Sequence, residues 1–410
     1  MESAIFVGLS VGVFTCVILG LTVILMFART QLVAQGEVYL LINDDPDRSP
    51  KVAPGQSLLS ALAGQQIFIP SACGGGGTCA MCKCQIFEGG GDVLPTETGQ
   101  LSIKERKTNW RLACQVKVKQ DMKIKVPDEV FGVKKFNGIV KSNRNVATFI
   151  KELVVQLPEG VHLEFEPGGY IQIDVPKYAC KFSDFDIQEE YRGDWTHFNF
   201  WEIEASNDAD DVFRAYSMAN YPAEGDIVML NIRIATPPRG MDVPPGLCSS
   251  YVFNLKPGDK ITMSGSYGEF EINDTDREMI YVGGGAGMAP LRSQIFHLFK
   301  VLKTGRKVTY WYGARSKREI FYEDQFRAIE AEFPNFKFHI ALSDPQPEDN
   351  WEGFTGYIHQ VVINESLSQH ETPEDCEFYF CGPPLMLKAV LKMCEDFGVP
   401  DENVRYDDFG

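Results

Sequence analysis

Basic residues are scarce in this sequence. Its 410 residues include 39 lysines and arginines against 56 aspartates and glutamates, which gives a formal net charge of −17 at pH 7. Proteins that bind nucleic acid need a basic stripe to neutralise phosphates, and the sequence offers none. The composition therefore argues against a nucleic-acid partner. It leaves two interpretations of the acidic balance, a solvated surface or a docking face for a basic partner.

Charge is absent from residues 3–28, a run rich in Val, Ile, Leu and Phe. As a helix at about 1.5 Å per residue, this run would reach roughly 39 Å, more than the ~30 Å hydrocarbon core of a bilayer. A cleaved signal peptide would need a positive start and a shorter apolar region, whereas only Glu2 is charged before the run. The sequence predicts a transmembrane anchor over 1–30. Because Arg29 follows the run and no Lys or Arg precedes it, we expect the rest in the cytoplasm.

Repeats and low-complexity tracts are also missing, so the length predicts several ordinary domains. Alternating strand patterns around a cysteine-rich segment predict a small β-rich domain over 35–130. Further alternating strands with Pro and Gly turns predict an antiparallel barrel over 131–275. From 276 to 410, apolar strands alternate with helical segments, which is typical of a parallel sheet. The predicted fold class is α+β multi-domain.

Four cysteines and four consecutive glycines lie in "SACGGGGTCAMCKCQ". Disulfides are disfavoured in a reducing cytoplasm. Zinc ribbons use two CxxC pairs, and only Cys79 and Cys82 form such a pair here, although zinc stays an alternative. Three close cysteines with one distant cysteine suit a [2Fe–2S] cluster, with Cys73, Cys79, Cys82 and Cys114 as ligands. Cys84 is expected outside this set, as a small packing residue.

This segment resembles the plant-type ferredoxin family. Five residues separate the first two ligand cysteines, whereas the plant-type pattern has four. The longer spacing is similar to the vertebrate-type variant of the same fold. The resemblance implies a β-grasp ferredoxin-like domain, with the extra residue enlarging the loop around an unchanged cluster.

The segment "RAYSMAN" resembles the flavin-binding RxYS motif of the ferredoxin–NADP reductase superfamily. The resemblance implies that Tyr216 stacks on the flavin of FAD, Ser217 bonds flavin N5 and Arg214 neutralises the pyrophosphate. The segments "GLCSSYVFNLKPGD", "NIRIA" and "SGSYGEF" are similar to further parts of that FAD site. The remaining FAD contacts that the resemblance implies are Asn231, Arg233, Gly246, Cys248, Ser249, Ser250 and Phe409. The Phe409 ring would cover the flavin face, unless the C-terminal end is a disordered tail.

A glycine-rich turn, "YVGGGAGMAP", lies between an apolar strand and a helix, where amides and the helix dipole favour a pyrophosphate. The GxGxxG fingerprint fails because Met288 occupies its last position. The turn instead resembles the GGGxGxxP turn of the same reductase superfamily, and "YGAR" and "YFCGPPLM" resemble its other nucleotide segments. The implied contacts are Gly284, Gly285, Gly287, Gly313, Arg315, Cys381 and Gly382, with Cys381 beside nicotinamide C4. Cys381, Ser217 and Tyr216 are the predicted catalytic residues.

The choice between NADH and NADPH depends on the residues after "YGAR". A 2′-phosphate needs basic side chains, and Lys317 and Arg318 could supply them. Glu319, Glu323 and Asp324 follow, and an acidic residue suits an unmodified ribose 2′-hydroxyl. We expect NADH.

The order of anchor, ferredoxin, FAD barrel and nicotinamide domain resembles the F-subunit family of bacterial Na⁺-translocating NADH:quinone reductases over essentially the whole chain. The resemblance implies hydride transfer from NADH to FAD, then single electrons to the [2Fe–2S] cluster. The electrons then pass to membrane partner subunits, which reduce ubiquinone and move sodium. The implied location is the bacterial inner membrane, single-pass, with the body facing the cytoplasm. Hydride transfer needs mainly proximity and orientation, which agrees with only six scattered histidines.

An acidic, aromatic insertion over 176–213 supports this resemblance, and it is either a loop packed on the barrel or a docking surface for partner subunits. The alternative function is a reductase component of a multicomponent oxygenase, which has the same modules but delivers electrons to a soluble protein. An electron carrier or scaffold without NADH turnover is the non-catalytic alternative.

Overall fold

A computed structural model describes residues 12–23, 36–71, 73–210, 212–238, 240–268 and 270–408, without the side chain of Glu129. The chain divides into two compact units by its internal contacts. Unit 1 comprises Met1–Ile69 and Gly75–Gly132, and unit 2 comprises Pro70–Gly74 and Val133–Gly410.

The N-terminal helix, α1, covers residues 12–23, and all of its residues are exposed. The anchor predicted over 1–30 extends beyond α1 at both ends, into residues outside the described ranges. Among the residues that the structure describes, no helix is long and apolar enough to cross a membrane. The anchor therefore stays a prediction.

Unit 1 contains a mixed five-stranded sheet. Its order is β2-β1-β5-β3-β4, with β1 and β5 parallel and the other pairs antiparallel. Helix α2 packs through Leu58, Leu59 and Leu62, which are buried, and it begins where the Ser57 hydroxyl accepts from Ser60 N. This arrangement agrees with the predicted ferredoxin-like domain. The elements are β1 (Val38–Ile42), β2 (Lys51–Val52), α2 (Leu58–Ala63), β3 (Lys83–Glu88), α3 (Pro95–Thr98), α4 (Ile103–Lys107), β4 (Trp110–Leu112) and β5 (Met122–Lys125).

The first half of unit 2 is an antiparallel barrel. Its strand order is β11-β8-β13-β6-β7-β12, and a bridge between Met218 and Leu230 joins the two ends of that order. Burial alternates along β6, as expected of a strand with one face on a core. The elements here are β6 (Lys134–Ala147), β7 (Ile150–Gln156), β8 (Tyr170–Val175), β9 (Tyr178–Lys181), α5 (Glu189–His197), β10 (Glu204–Asn207), β11 (Val212–Ser217), β12 (Ile227–Arg233), α6 (Leu247–Asn254) and β13 (Lys260–Tyr267).

The insertion over 176–213 folds as the hairpin β9–β10 with helix α5 between its strands. Phe182, Phe185 and Trp195 are buried in the same apolar cluster as Phe253 of the barrel helix α6. The Trp195 indole also donates to the carbonyl oxygen of Thr148 at 2.9 Å. The insertion is thus packed on the barrel, and its role as a docking surface stays a prediction.

The second half of unit 2 is a six-stranded parallel sheet in the order β17-β16-β15-β14-β18-β19. The chain runs outward from β14 to β17, then returns to place β18 on the other side of β14. In open sheets of this kind, ligands bind at the carboxyl ends of the strands where the order reverses. The elements are β14 (Met279–Gly284), α7 (Met288–Phe296), β15 (Val308–Ala314), α8 (Glu323–Glu332), β16 (Phe336–Leu342), β17 (Phe354–Thr355), α9 (Ile358–Glu365), β18 (Glu377–Cys381), α10 (Pro384–Asp396) and β19 (Val404–Asp407).

Candidate functional site

The cysteine loop depends on glycine for its backbone path. Gly74, Gly75 and Gly77 have φ angles of 61°, 90° and 79°. L-residues rarely adopt this left-handed region, so the run of glycines is required by conformation. At Gly77 a Cβ would also lie 2.7 Å from Nε2 of Gln115. The loop can therefore fold back closely on the residues that follow β4.

The pairing of β3 with β4 brings Cys82 and Cys114 together. Lys83 faces Leu112, and Ala113 N donates to the Cys82 carbonyl oxygen at 2.9 Å. The hydrogen bond between the Cys82 and Cys114 thiols, together with burial, raises the pKa of Cys82 well above its usual range. Cys79 is close enough to add to this rise. Three of the four predicted ligands thus form one group of thiols.

Cys73 lies in the short segment Pro70–Gly74, which belongs to unit 2 by its contacts. A Cβ on Gly74 would lie 1.9 Å from Nη1 of Arg214 and 2.5 Å from the carbonyl oxygen of Phe213. Glycine at 74 therefore lets this segment pack directly against strand β11. The role of Cys73 as the fourth ligand stays a prediction.

Gln115 is a polar neighbour of the thiols that the sequence motifs do not indicate. Its Nε2 donates to the Cys114 sulfur at 3.4 Å and to the Gly75 carbonyl oxygen at 3.3 Å. Hydrogen bonds to sulfur stabilise the negative charge of an iron–sulfur group. Grouped thiols, left-handed glycines and this donor fit a [2Fe–2S] cluster, whose binding would release the thiol protons. Only its position next to Cys114 could have indicated Gln115 in the sequence.

Cys84 is the cysteine predicted to stay outside the ligand set, and its role as a packing residue stays a prediction. It is fully buried, and burial raises the pKa of its thiol to about 12. Its neighbours are Arg111 and Glu97, a buried ion pair at 2.6 Å. The Arg111 guanidinium also donates to the carbonyl oxygens of Gly90, Gly91 and Asp92. This network fixes β4 and with it the position of Cys114.

The flavin motif lies on β11, which pairs with β8 from Val212 to Ser217. Tyr216 is half-buried and its hydroxyl is hydrogen-bonded to Cys248, while burial raises its pKa well above the usual value. The motif and the helix α6 that carries Cys248 are therefore adjacent. This adjacency brings two of the predicted FAD segments together.

Helix α6 has a free N-terminal turn for an anion. Its N-cap is Gly246, and no side chain caps the helix. The Ser249 hydroxyl accepts from Ala235 N at 3.1 Å and donates to the Gly246 carbonyl oxygen at 3.2 Å. Uncapped amides at a helix start attract phosphate groups, so this turn fits the FAD pyrophosphate. Ser250 is fully buried in the same helix.

Asn231 and Arg233 lie on β12. Asn231 is buried and its Nδ2 donates to the Tyr322 hydroxyl at 2.7 Å, while that hydroxyl donates to Glu152 at 2.7 Å. Arg233 ends β12 as an exposed residue. Phe409 lies outside the described residues. The FAD roles of these three residues stay predictions.

The nicotinamide motif occupies the carboxyl ends of β14 and β18, where Gly283 pairs with Cys381. A Cβ on Gly287 would lie 2.1 Å from the Cys381 carbonyl oxygen, so only glycine permits this approach. Gly285 has a left-handed φ of 55°. A Cβ on Gly284 or Gly382 would meet Met386, and one on Gly313 would meet Ile358. The predicted glycines thus allow close packing at the carboxyl ends of these strands.

A carboxylate that the sequence motifs do not indicate joins the flavin and nicotinamide motifs. The Ser217 hydroxyl donates to Asp407 Oδ2 at 2.6 Å, and Asp407 pairs with Cys381 across β18 and β19. Burial raises the pKa of the Asp407 carboxyl to about 6. Burial, with Asp407 and Asp408 nearby, raises the pKa of Cys381 well above the usual thiol value. Two predicted catalytic residues, Ser217 and Cys381, therefore meet at one side chain.

One Glu–His–Cys cluster with metal-ligand spacing exists among the described residues. Glu278, His370 and Cys376 lie at the opposite, amino-terminal end of the sheet. Thr372 N donates to His370 Nδ1 at 3.2 Å, which places the ring proton on Nε2, 3.3 Å from Glu278. Lys307 pairs with the other Glu278 oxygen at 3.0 Å. These contacts describe a hydrogen-bonded cluster, since a metal would need Nε2 without its proton.

Three family models match successive parts of the chain. Residues 42–119 match the 2Fe-2S iron-sulfur cluster binding domain. Residues 197–272 match the oxidoreductase FAD-binding domain, and residues 281–392 match the oxidoreductase NAD-binding domain. The cysteine, flavin and nicotinamide motifs all lie in or beside the corresponding match.

Solved structures share this fold at low sequence identity. The Amycolatopsis cytochrome P450 reductase is 22% identical, with a TM-score of 0.64 over 91% of this chain and 98% of that chain. The ferredoxin reductase in carbazole 1,9a-dioxygenase is 24% identical, with a TM-score of 0.61 over 92% of this chain and 99% of that chain.

Curated relatives match at much higher identity. The F subunit of the Na(+)-translocating NADH-quinone reductase of Idiomarina loihiensis is 56% identical over 98% of both chains. Its counterpart in Pseudomonas aeruginosa is 55% identical over 98% of both chains, and that of Actinobacillus succinogenes is 53% identical over 100% of both. The chain therefore belongs to the F-subunit family of Na(+)-translocating NADH-quinone reductases.

Proposed function

We propose that this chain is the electron-input subunit of a Na⁺-pumping NADH:ubiquinone oxidoreductase. The observation that carries the proposal is the meeting of Ser217 and Cys381 at Asp407, because it joins the flavin motif to the nicotinamide motif. When bound, FAD accepts a hydride from a nicotinamide, and a [2Fe–2S] cluster carries single electrons. The chain holds NADH, FAD and the [2Fe–2S] cluster in the order in which the electrons pass.

On the flavin side, the free turn of α6 and Arg214 hold the pyrophosphate, and Tyr216 packs against the ring system. Ser217 points its hydroxyl at the Asp407 carboxylate, 2.6 Å away, so its orientation is fixed before a flavin binds. The Ser217 oxygen is thereby held in one position, where it can meet flavin N5. The remaining FAD contacts are those predicted from the sequence.

On the nicotinamide side, Gly285 and Gly287 let the pyrophosphate approach the start of α7, and Cys381 contacts the ring. The raised pKa of Cys381 keeps it a neutral thiol, so it packs against the ring and does not act as a nucleophile. Hydride transfer depends on distance and alignment, which the close packing at the strand ends supports. No acid–base pair is needed for that step.

On the cluster side, Cys73, Cys79, Cys82 and Cys114 hold the irons, and Gln115 donates to the Cys114 sulfur. Gly74, next to Cys73, lies against Arg214 of the flavin strand. The domain limits remain those predicted from the sequence.

In the cell, the N-terminal segment anchors the chain in the bacterial inner membrane, with the body in the cytoplasm. The membrane partner subunits take the electrons, reduce ubiquinone and move sodium. Alkaline carbonate extraction tests the anchor on the full chain. The chain should stay with the membranes, while a form starting at residue 31 should be released; release of both would contradict the anchor.

Low-temperature EPR tests the central proposal on the full chain with FAD bound. Reduction with NADH alone should give a rhombic S = 1/2 signal of a [2Fe–2S] cluster. A signal with dithionite but not with NADH would contradict the proposed electron path. The absence of a signal with either reductant would contradict the cluster itself.

The alternative, a reductase component of an oxygenase, shares the fold of the two solved reductases. At 22% and 24% identity those structures support the fold alone. The full-length relatives at 53–56% identity favour the quinone-reductase proposal.

A further inference from the structure

Three basic side chains follow β15 at the carboxyl edge of the sheet. They are Arg315, Lys317 and Arg318. In open α/β folds the ribose of a dinucleotide lies at the end of the strand after the glycine-rich turn, and a nearby Arg accommodates the 2′-phosphate of NADPH. Basic residues at this position are therefore candidates for setting the nucleotide preference.

Each of these cations is already engaged by the protein. Arg315 Nε pairs with Asp344 at 3.1 Å, and Lys317 Nζ donates to the Asp349 carbonyl oxygen at 3.4 Å. Arg318 Nη2 pairs with Asp194 at 2.6 Å, and its Nη1 donates to the Glu190 carbonyl oxygen at 3.4 Å. The Arg318 partners come from a different part of the chain, the helix α5 of the insertion.

The Arg318 pair is the better fixed of the two Arg–Asp pairs. The Asp194 side chain is 27% exposed, whereas the Asp344 side chain is 53% exposed. Trp195, next to Asp194, is fully buried and bonded to Thr148. Thr148 N in turn donates to Glu319, the neighbour of Arg318, at 3.1 Å. Residues adjacent to Asp194 and to Arg318 thus hold both members of the pair in place.

We propose that Asp194 occupies Arg318 and thereby makes the insertion a determinant of the preference for NADH over NADPH. The inference deepens the proposed function and rests on it. A 2′-phosphate carries nearly two negative charges and needs charge-assisted hydrogen bonds from a guanidinium. Here it would meet an Arg that Asp194 has already neutralised. A ribose 2′-hydroxyl carries no charge and is not affected.

The test compares Asp194→Asn with the unchanged full-length protein, both with FAD bound. The substitution keeps the side-chain volume and releases Arg318. The ratio of kcat/KM for NADPH to that for NADH should rise about two- to fivefold, the range expected when one partly exposed charge pair is opened. In calorimetry, adenosine 2′,5′-bisphosphate should bind tighter by a similar factor, while ADP-ribose should be unchanged.

Two further variants test whether the change in the ratio depends on this ion pair and on the Arg318 charge. Asp210→Asn opens another pair of the insertion, Lys177 with Asp210, and should leave the ratio unchanged. The double variant Asp194→Asn with Arg318→Gln should lose the gain, because the gain requires the Arg318 charge. Persistence of the gain in the double variant would overturn the role of Arg318.

An unchanged ratio and unchanged bisphosphate affinity in Asp194→Asn, with NADH turnover retained, would overturn the inference alone. The absence of NADH turnover in the unchanged protein would instead contradict the proposed function. FAD content and near-ultraviolet circular dichroism confirm folding of each variant, and an unfolded Asp194→Asn is replaced by Asp194→Ser with the same expectation.

Discussion

Two regions of this molecule use buried cysteines in opposite ways. In unit 1, Cys82 and Cys114 lie in hydrogen-bonding contact beside a loop of left-handed glycines. In unit 2, Cys381 is a single thiol at the end of a fully buried parallel strand. The pKa of Cys82 and the pKa of Cys381 are both raised, but by different neighbours.

The neighbours explain the difference in chemistry. The main cause at Cys82 is a hydrogen bond with another thiol, and a metal that removes both protons replaces that hydrogen bond with two thiolate ligands. The main cause at Cys381 is burial, followed by two aspartates, and no second thiol is part of it. Grouped thiols therefore favour a metal, whereas an isolated buried thiol favours packing against a ligand.

Substitution of one grouped thiol should have the largest effect. In Cys82→Ala the cluster loses a ligand, so we expect loss of its visible and EPR spectra with FAD content unchanged. Cys84→Ala is the matched control, since Cys84 is equally buried two residues further along the chain but is expected outside the ligand set. Retention of the cluster spectrum in Cys82→Ala would contradict the ligand assignment.

Removal of the ion pair that fixes β4 should have the next largest effect. Burial disfavours the charge of Glu97, but hydrogen bonds from Arg111, Leu94 N and Leu112 N outweigh it, so its pKa lies below the usual value. Glu97→Gln leaves Arg111 buried without its counter-charge, and should lower the free energy of unfolding of unit 1 by about 3 kcal/mol at pH 7.

The same variant sharpens the comparison between the two regions. Cluster retention should fall in Glu97→Gln, while NADH–ferricyanide activity, which depends on unit 2, should persist. Because folding lowers the Glu97 pKa, the charged Glu97 carboxylate stabilises the unchanged protein at neutral pH. This stabilisation, and with it the difference between the variant and the unchanged protein, disappears as pH falls below about 4. The exposed Glu88→Gln is the control. Equal stability of the two variants at pH 7 in urea titrations would rule out this role of the ion pair.

Substitution of Asp407, on the Cys381 side, should have the smallest effect. Its pKa rises from 3.8 to about 6 on folding. A raised pKa means that stability is fully present below pH 4 and is lost as pH rises through 6. Asp407→Asn should therefore stabilise the FAD-free protein by about 2 kcal/mol at pH 8 and by little at pH 4. Urea unfolding at both pH values measures this, with the exposed Asp401→Asn as control. A stability gain that does not vary with pH would refute the raised pKa of Asp407.

Much of the fold and site could be predicted because the motifs are local. The alternating apolar strands and helical segments predicted over 276–410 correspond to strands β14 to β19 and helices α7 to α10. Strand periodicity, glycine turns and cysteine spacing are set by neighbouring residues, so they can be read in order. Asp407 was missed because nothing local marks it, and Gln115 was missed because only its position next to Cys114 marks it. Their roles come from strand pairings that join distant segments.

The sequence by itself determined which chemical groups this protein can hold, since thiol spacing and glycine-rich turns are properties of short segments. The tertiary structure decided which groups meet. It placed Ser217 and Cys381, 164 positions apart in the sequence, at one carboxylate, and it paired Arg318 with Asp194 of the insertion. The physical reason is that side-chain contacts and pKa values depend on distances in space, which sheet order and packing create.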